Sequence, residues 1–338
     1  MKFSLNMEIT KPVELCTKLG RLNHSALGWA RKPLVRCNLK GHLFRKKKWN
    51  YWAVYNKNYL FSVTVADLDY LGISFWYFVD FKEQKMWERS FITPFGIGYE
   101  MPETPEESVF FETRNFKIHM IRKAQITELF VEDHRRENLS AKFEIFHQNF
   151  ESLNVVVPWS WNRFQFTSKQ FSLMARGEVI FEDRKIRFDE SESFATLDFG
   201  RGVWKYKTTW NWASFATRLS DGTVIGVNLG GKWTDKTGIN ENGLLVNGKL
   251  TKIESDVVFS YDLDDLMNLW KIYSINSDEV QLEFKPVFLR NSKTNFLIVA
   301  SKMNQLFGFF KGFVRDENRR VYLIEDAFGW VEDHYARW

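Results

Sequence analysis

From Trp49 onward apolar and polar residues alternate in short runs, over 49–55, 59–67, 71–81, 84–92, 108–120, 124–132 and 141–147. A period of two puts one set of side chains in a core and the other in water, so each run predicts a strand. Charged or turn-forming residues such as Asn56-Lys57-Asn58 separate the runs, as between antiparallel hairpins. A second series covers 164–173, 178–182, 185–188, 194–199, 203–217, 223–229 and 243–247, then 269–275, 279–285, 296–303, 306–314 and 320–326. Asp221-Gly222 and Asn247-Gly248 are the residue pairs that tight hairpin turns demand. Helical spacing occurs only in Asp262–Lys271, through Leu263, Leu266, Met267 and Trp270, where a short capping helix is expected. Residues 1–48 read as irregular, ending in the basic run Arg45-Lys46-Lys47-Lys48, and Met101–Glu107 as a polar, proline-bearing loop. The pattern is all-β. So many apolar strands expose hazardous edges unless their sheets close, so two antiparallel barrels, closed or nearly so, are expected.

The pattern is also written twice. Trp49-Asn50-Tyr51-Trp52 leads into a strand from Tyr59, and Trp210-Asn211-Trp212-Ala213 leads into a strand from Thr223. The offsets, 210 − 49 = 161 and 223 − 59 = 164, are about half of the 338 residues. Solenoid repeats are far shorter, so a half-length period indicates two copies of one β-rich unit. The expected seam lies near Asn149–Asn162, where Pro158 interrupts a Trp-rich segment, giving one domain over 1–155 and another over 156–338.

The densest stretch runs from Leu197 to Ser214. Strand alternation there puts Trp204, Tyr206, Thr208, Trp210, Trp212 and Ser214 on one face, with Lys205, Lys207 and Asn211 on the other. Apolar walls with a few polar anchors suit a ligand pocket, and an inter-strand core would use the same rings, so cavity and core both stand. Gly200 and Gly202 mark a bulge or corner that aims Arg201 inward or across the domain interface. In the first half Asp67 and Asp69 share a face with Phe61, Val63 and Val65, roughly 7 Å apart by strand geometry. Inside an apolar lumen, desolvation and mutual repulsion would leave one of them neutral near pH 7. At a strand end both would sit in a solvated turn.

Composition sharpens the β reading, because 32 Phe, 14 Trp and 11 Tyr stand against 7 Pro. The net charge of +5, from 47 bases and 42 acids, does not point to nucleic acid. Arg45–Lys48 beside Trp49 offers the base-and-ring mixture of single-strand binders, but a solvated loop accounts for it. Cys16 and Cys37 are too few for a disulfide scaffold and fit a reducing cytosol. Asn6 and Glu8 interrupt any signal-peptide core, and runs such as Leu71–Val79 fall short of a bilayer span, so a cytoplasmic location without a transmembrane segment is expected. The six histidines show no metal-ligand spacing, and neither metal nor cofactor is expected. The run from Gly226 to Trp233 nearly matches a phosphate loop, but Trp233 replaces the hydroxyl residue that would hold magnesium and no helix follows.

At these motifs the chain resembles a bacterial family known as domain of unknown function 2804. The carriers are Gly28-Trp29, Lys47-Lys48-Trp49-Asn50-Tyr51-Trp52 and Phe61–Asp67 in the first half. In the second they are Asp198-Phe199-Gly200-Arg201-Gly202, Trp210-Asn211-Trp212-Ala213, Asn228–Thr234 and Gly329–Trp338. The duplicated barrel is further similar to two-domain, lipocalin-like proteins that include carotenoid hydratases and tocopherol cyclases. That resemblance implies a calycin-type fold, an apolar isoprenoid-like ligand and acid catalysis. It implies Asp67, Asp69, Asp198, Glu332 and His334 as candidate proton donors. Trp204, Tyr206, Trp210 and Trp212 become candidates for stabilising a carbocation. Arg201 and Lys232 become candidates for an anionic head group, with Asn228 beside them as a further ligand contact.

The expected function is binding of an apolar or amphipathic small molecule in an aromatic-lined cavity. An enzyme of hydratase, cyclase or isomerase type with a buried carboxylate acid is the alternative, and a structural or interaction module the second. A buried carboxyl or histidine facing a cavity separates the enzyme from the carrier.

Overall fold

The computed structural model describes residues 7–135, 138–148, 150–181, 184–296 and 299–338. Residues 1–6 of the segment read for a leader, Asn149 at the expected seam and 297–298 of an expected strand lie outside the described residues. Strands dominate, and helix among the described residues is confined to one 3-10 turn, His24–Ala26.

The first of the two large sheets centres on Lys46–Tyr55, which pairs with Tyr59–Asp67 on one side and Phe194–Val203 on the other. Its path runs outward through Leu71–Asp80 to Lys85–Pro94 in one direction, and through Arg163–Phe181 to Val109–Thr113 in the other. The second sheet is built the same way around Lys207–Arg218, flanked by Val224–Gly231 and Val321–Arg337. In each half the last strand returns to pair with the Trp-Asn strand, so Trp49 lies opposite Gly200 and Trp210 opposite His334. Both sheets are antiparallel and curl into half-barrels whose hydrogen-bonded paths end in edge strands, so closure is incomplete. The chain changes sheet between Val203 and Lys207. The seam at 155/156 falls inside the strand Leu153–Ser160, which pairs with Arg163–Phe181 and takes Pro158 into its ladder.

Arg163–Phe181 serves two parts of the first sheet because it bends. The register slips between Gln170 and Leu173, and Ser172 adopts φ +61°, the geometry of a bulge. Gly226 of the second sheet packs there, where a Cβ would come within 2.6 Å of Ser172 Cβ. At the other hairpins sequence chemistry carries through: Asn247 (φ +47°) and Gly248 (φ +78°) form the turn between Gly243–Val246 and Lys249–Lys252.

Two local expectations fail. Asp262–Lys271 is not a helix, because Asp262 accepts the amides of Asp264 and Asp265 and the side-chain amide of Asn268, closing a turn instead. Leu263, one of the residues that suggested the helix, is 76% exposed. The basic run is not a solvated loop either. Lys46–Lys48 open the central strand, and Lys47 is fully buried, its amine donating to Leu68 O at 2.9 Å and lying 4.6 Å from the Tyr70 ring. Burial pushes that amine down to about 7.

Each half encloses its own apolar core. A third cluster joins Tyr55, Tyr77 and Phe194 of the first sheet to Trp212, Phe328 and Trp330 of the second. The halves are therefore fused by aromatic packing, with Tyr55 edge-on to Trp330 at 5.1 Å. No helix among the described residues is long and apolar enough to cross a membrane.

Candidate functional site

Beside that fused core the sheets part to leave a cavity of about 210 Å3. Cross-strand register builds its walls. On the first sheet Lys169, Asp198, Tyr51, Thr64 and Phe75 lie directly opposite one another on successive strands, forming one continuous row. On the second sheet Trp212, Glu332, Gln305 and Arg290 form the matching row, with Trp210, His334 and Met303 beside it. Trp49, Trp204, Trp233 and Trp338 complete the apolar lining, and all these residues border the space.

The rings touch one another. Trp204 stacks with Trp233 at 5.8 Å and meets Trp210 edge-on at 6.0 Å, and Trp210 overlies His334 at 3.9 Å. Gly200 and Gly202 occupy the cavity-side positions of their strand because a Cβ there would overlap the Trp49 ring or the Gln165 amide. Gly230 likewise leaves room for Glu241.

Four ionisable groups of the wall are tuned differently. Lys169 pairs with Asp198 at 3.0 Å and Glu241 at 3.3 Å, its ammonium 4.1 Å from the Trp212 ring. Burial opposes its charge, but the two carboxylates outweigh it and hold the amine above its ordinary value. Asp198 also accepts Thr167 Oγ1 at 3.1 Å, while Glu241 accepts Trp233 Nε1 at 2.7 Å. Burial raises Glu241 in spite of Lys169. Glu332 has no salt-bridge partner among the described residues; it accepts Gln305 Nε2 at 3.0 Å and Trp210 Nε1 at 3.4 Å. Burial pushes its carboxyl up to about 7, against the pull of Trp210 and Lys169. His334, held by Ser301 Oγ at 2.9 Å, is driven down to about 3 by burial and stays neutral.

Of the candidates drawn from sequence, Asp198, Glu332, His334, Trp204, Trp210 and Trp212 meet in this cavity. Asn228 stands just behind it, accepting Trp212 Nε1 at 2.7 Å. The others are elsewhere. Asp67 pairs with Lys48 at 3.6 Å and caps the amide of Asp69, which pairs with Lys46 at 3.0 Å; this is the strand-end turn. Arg201 projects from the opposite face, donating to the carbonyls of Trp49, Gly200 and Pro102 and to Asn50 Oδ1. Tyr206 is 44% exposed because the strand breaks between Val203 and Lys207, and with it the alternation of the ladder. Lys232 is bound to Asp333 at 2.9 Å and Tyr261 at 2.7 Å.

Lys169, Glu241, Gln305 and Arg290 also belong to the wall, and no motif in the sequence singles them out. One signal was available: Gln165, Thr167 and Lys169 place a polar stripe at period two in a strand otherwise rich in phenylalanine. Among the described residues no group of three or more His, Cys, Asp or Glu is arranged to hold a metal ion.

The fold has solved relatives. Kievitone hydratase from Nectria haematococca superposes with a TM-score of 0.53 at 8% identity, covering 86% of this chain and 88% of that one. CghA with Sch210972 gives 0.51 at 10% identity, covering 91% and 95%. Both share the two-domain, lipocalin-like architecture. No curated protein matches the sequence. Residues 6–338 match one family across nearly the whole chain, and the protein belongs to that family, domain of unknown function 2804.

Proposed function

We propose that the protein binds an apolar or amphipathic small molecule between its two sheets and protonates it from Glu332, in a reaction of the hydratase, cyclase or isomerase class. One observation carries this: a buried carboxyl, raised to about 7, faces a cavity walled by tryptophan. An acid catalyst works best with a pKa near the operating pH. Gln305 Nε2 donates to Oε1 at 3.0 Å and Trp210 Nε1 to Oε2 at 3.4 Å, so both oxygens accept and the longer contact leaves Oε2 the freer of the two to carry the proton. Gln305 is itself oriented by Tyr77, whose hydroxyl donates to Gln305 Oε1 at 2.9 Å and meets Tyr51 OH at 2.9 Å. Trp210 already overlies His334 and Trp212 already carries the Lys169 ammonium, so positive charge developing on a substrate would meet their remaining ring faces. Engineered apolar cavities of ~150 Å3 hold benzene, so the space seats one or two rings of a ligand whose remainder lies in its mouth. A hydratase on the same fold accords with this reading.

The test has two arms. Titration with 1-aminoanthracene should give saturable energy transfer from tryptophan, and its absence overturns the binding reading. Cell metabolites incubated in D2O with wild-type protein should gain deuterium at carbon, and Glu332→Gln should abolish the gain while keeping probe affinity. Identical labelling with both proteins overturns the acid role alone.

A further inference from the structure

Neither cation expected to receive an anionic head group lies in the cavity, yet the cavity wall contains another. Arg290 is only 5% exposed and sits in the same cross-strand row as Glu332, with Gln305 between them. Its guanidinium is fixed on two sides. Nε and NH2 donate to Glu88 Oε2 at 2.9 and 2.7 Å, and one face lies 4.2 Å from the Tyr77 ring. Among the described residues the remaining nitrogen, NH1, meets the thioether of Met303 at 3.5 Å and no oxygen. Sulfur is a weak acceptor. A buried guanidinium edge with no oxygen partner is an unfilled demand for one.

We infer that the ligand is an amphipathic acid whose carboxylate docks on Arg290 NH1 while its apolar body lies against the tryptophans. This rests on the cavity being a binding site, not on the acid role of Glu332. Adjacent strands are ~4.8 Å apart, so Arg290 and Glu332 are separated by roughly 10 Å of backbone. A carboxylate held at Arg290 therefore keeps the acid group away from Glu332 and presents carbon to it. Glu88 holds the Nε and NH2 edge of the guanidinium, which leaves NH1, beside the cavity-lining Met303, to meet a carboxylate.

The experiment compares 2-naphthoate with 2-isopropenylnaphthalene, which share a ring system and a flat three-atom substituent but differ in charge. Each displaces 1-aminoanthracene from the wild-type protein, and naphthoate is expected to bind more than tenfold tighter, the gain of a charge-assisted hydrogen bond. Arg290→Met should erase that preference without weakening the hydrocarbon. The double variant Glu88→Gln with Arg290→Gln removes the ion pair as a unit and supplies the same comparison if the single variant is unstable. Equal affinity of wild type for both probes, or a preference that survives either variant, overturns the inference and leaves the cavity reading intact. Failure of both probes to displace 1-aminoanthracene overturns the inference and the cavity reading together.

Discussion

Replacing Glu332 with glutamine should make the protein more stable at high pH. The carboxyl has an ordinary value of 4.5 in the unfolded chain and about 7 in the folded one. Below pH 4.5 it is protonated in both states and folding is indifferent to it. Between 4.5 and 7 the unfolded chain releases a proton that the folded protein keeps, and stability falls by ~1.4 kcal/mol per pH unit. Above pH 7 the loss levels off at about 3 kcal/mol. Glutamine has the same shape and no proton to release. The unfolding free energy of wild type relative to Glu332→Gln should therefore fall by about 2.5 kcal/mol between pH 5 and pH 8. Urea titrations at both values, followed by tryptophan fluorescence and circular dichroism, measure it, and coincident transitions license the free energies. Comparing the two proteins at each pH cancels the titrating groups that are not coupled to Glu332, and the fixed cost of placing an amide beside Trp210 drops out of the change between the two pH values. A gap that moves by less than about 0.5 kcal/mol between the two pH values would show that the carboxyl is not held neutral, and the proposed proton donor would go with it.

Trp212→Ala should cost about 3–5 kcal/mol and weaken 1-aminoanthracene binding. The indole packs on Trp330 at 5.3 Å and satisfies Asn228, so it belongs to the core as well as to the cavity wall. Tyr206→Ala, at a half-exposed position where the ring meets the Arg45 guanidinium at 5.8 Å, should change stability by no more than about 1 kcal/mol and leave probe binding unaltered. Weaker binding in that variant would return Tyr206 to the site. Lys169→Met should destabilise by about 3–5 kcal/mol at neutral pH, because Asp198 and Glu241 lose their shared cation. A loss below about 1 kcal/mol would mean that the three groups are better solvated than their burial implies.

The fold was legible because alternation is local. Each strand writes its period into a few consecutive residues, and Asn247-Gly248 writes its turn into two. The cavity was legible only where it follows a strand already identified. Trp210 and Trp212 lie on one face of a single strand, and Glu332 and His334 on one face of another. Arg201 was misplaced, although period two separates Asp198, Gly200 and Gly202 from Phe199 and Arg201. The glycines hold the cavity side, and the cation takes the other. Asp67 and Asp69 were open to either reading because the lysines that claim them come from the neighbouring strand. Arg290 lies 202 positions from the Glu88 that fixes it, and nothing local announces such a pair.

The duplication explains more of the site than either half does alone. An offset of 161 carries Tyr51 onto Trp212, since 51 + 161 = 212. The residue paired with Tyr51 is Asp198, and the residue paired with Trp212 is Glu332. The two carboxyls therefore occupy equivalent places in the two copies, and the sheets bring them to opposite walls of one cavity. Their surroundings have diverged. Asp198 meets an ammonium and a hydroxyl, the partners of a carboxylate, whereas Glu332 meets an indole and an amide and is pushed up by burial to about 7. Equivalent positions thus hold an ion-paired carboxylate on one wall and a proton-retaining carboxyl on the other. A carboxyl raised by burial to about 7, facing an ion-paired one across a cavity, is a single group poised for proton transfer. An apolar core needs no such divergence, since a pair of buried acids costs stability wherever packing is the only purpose.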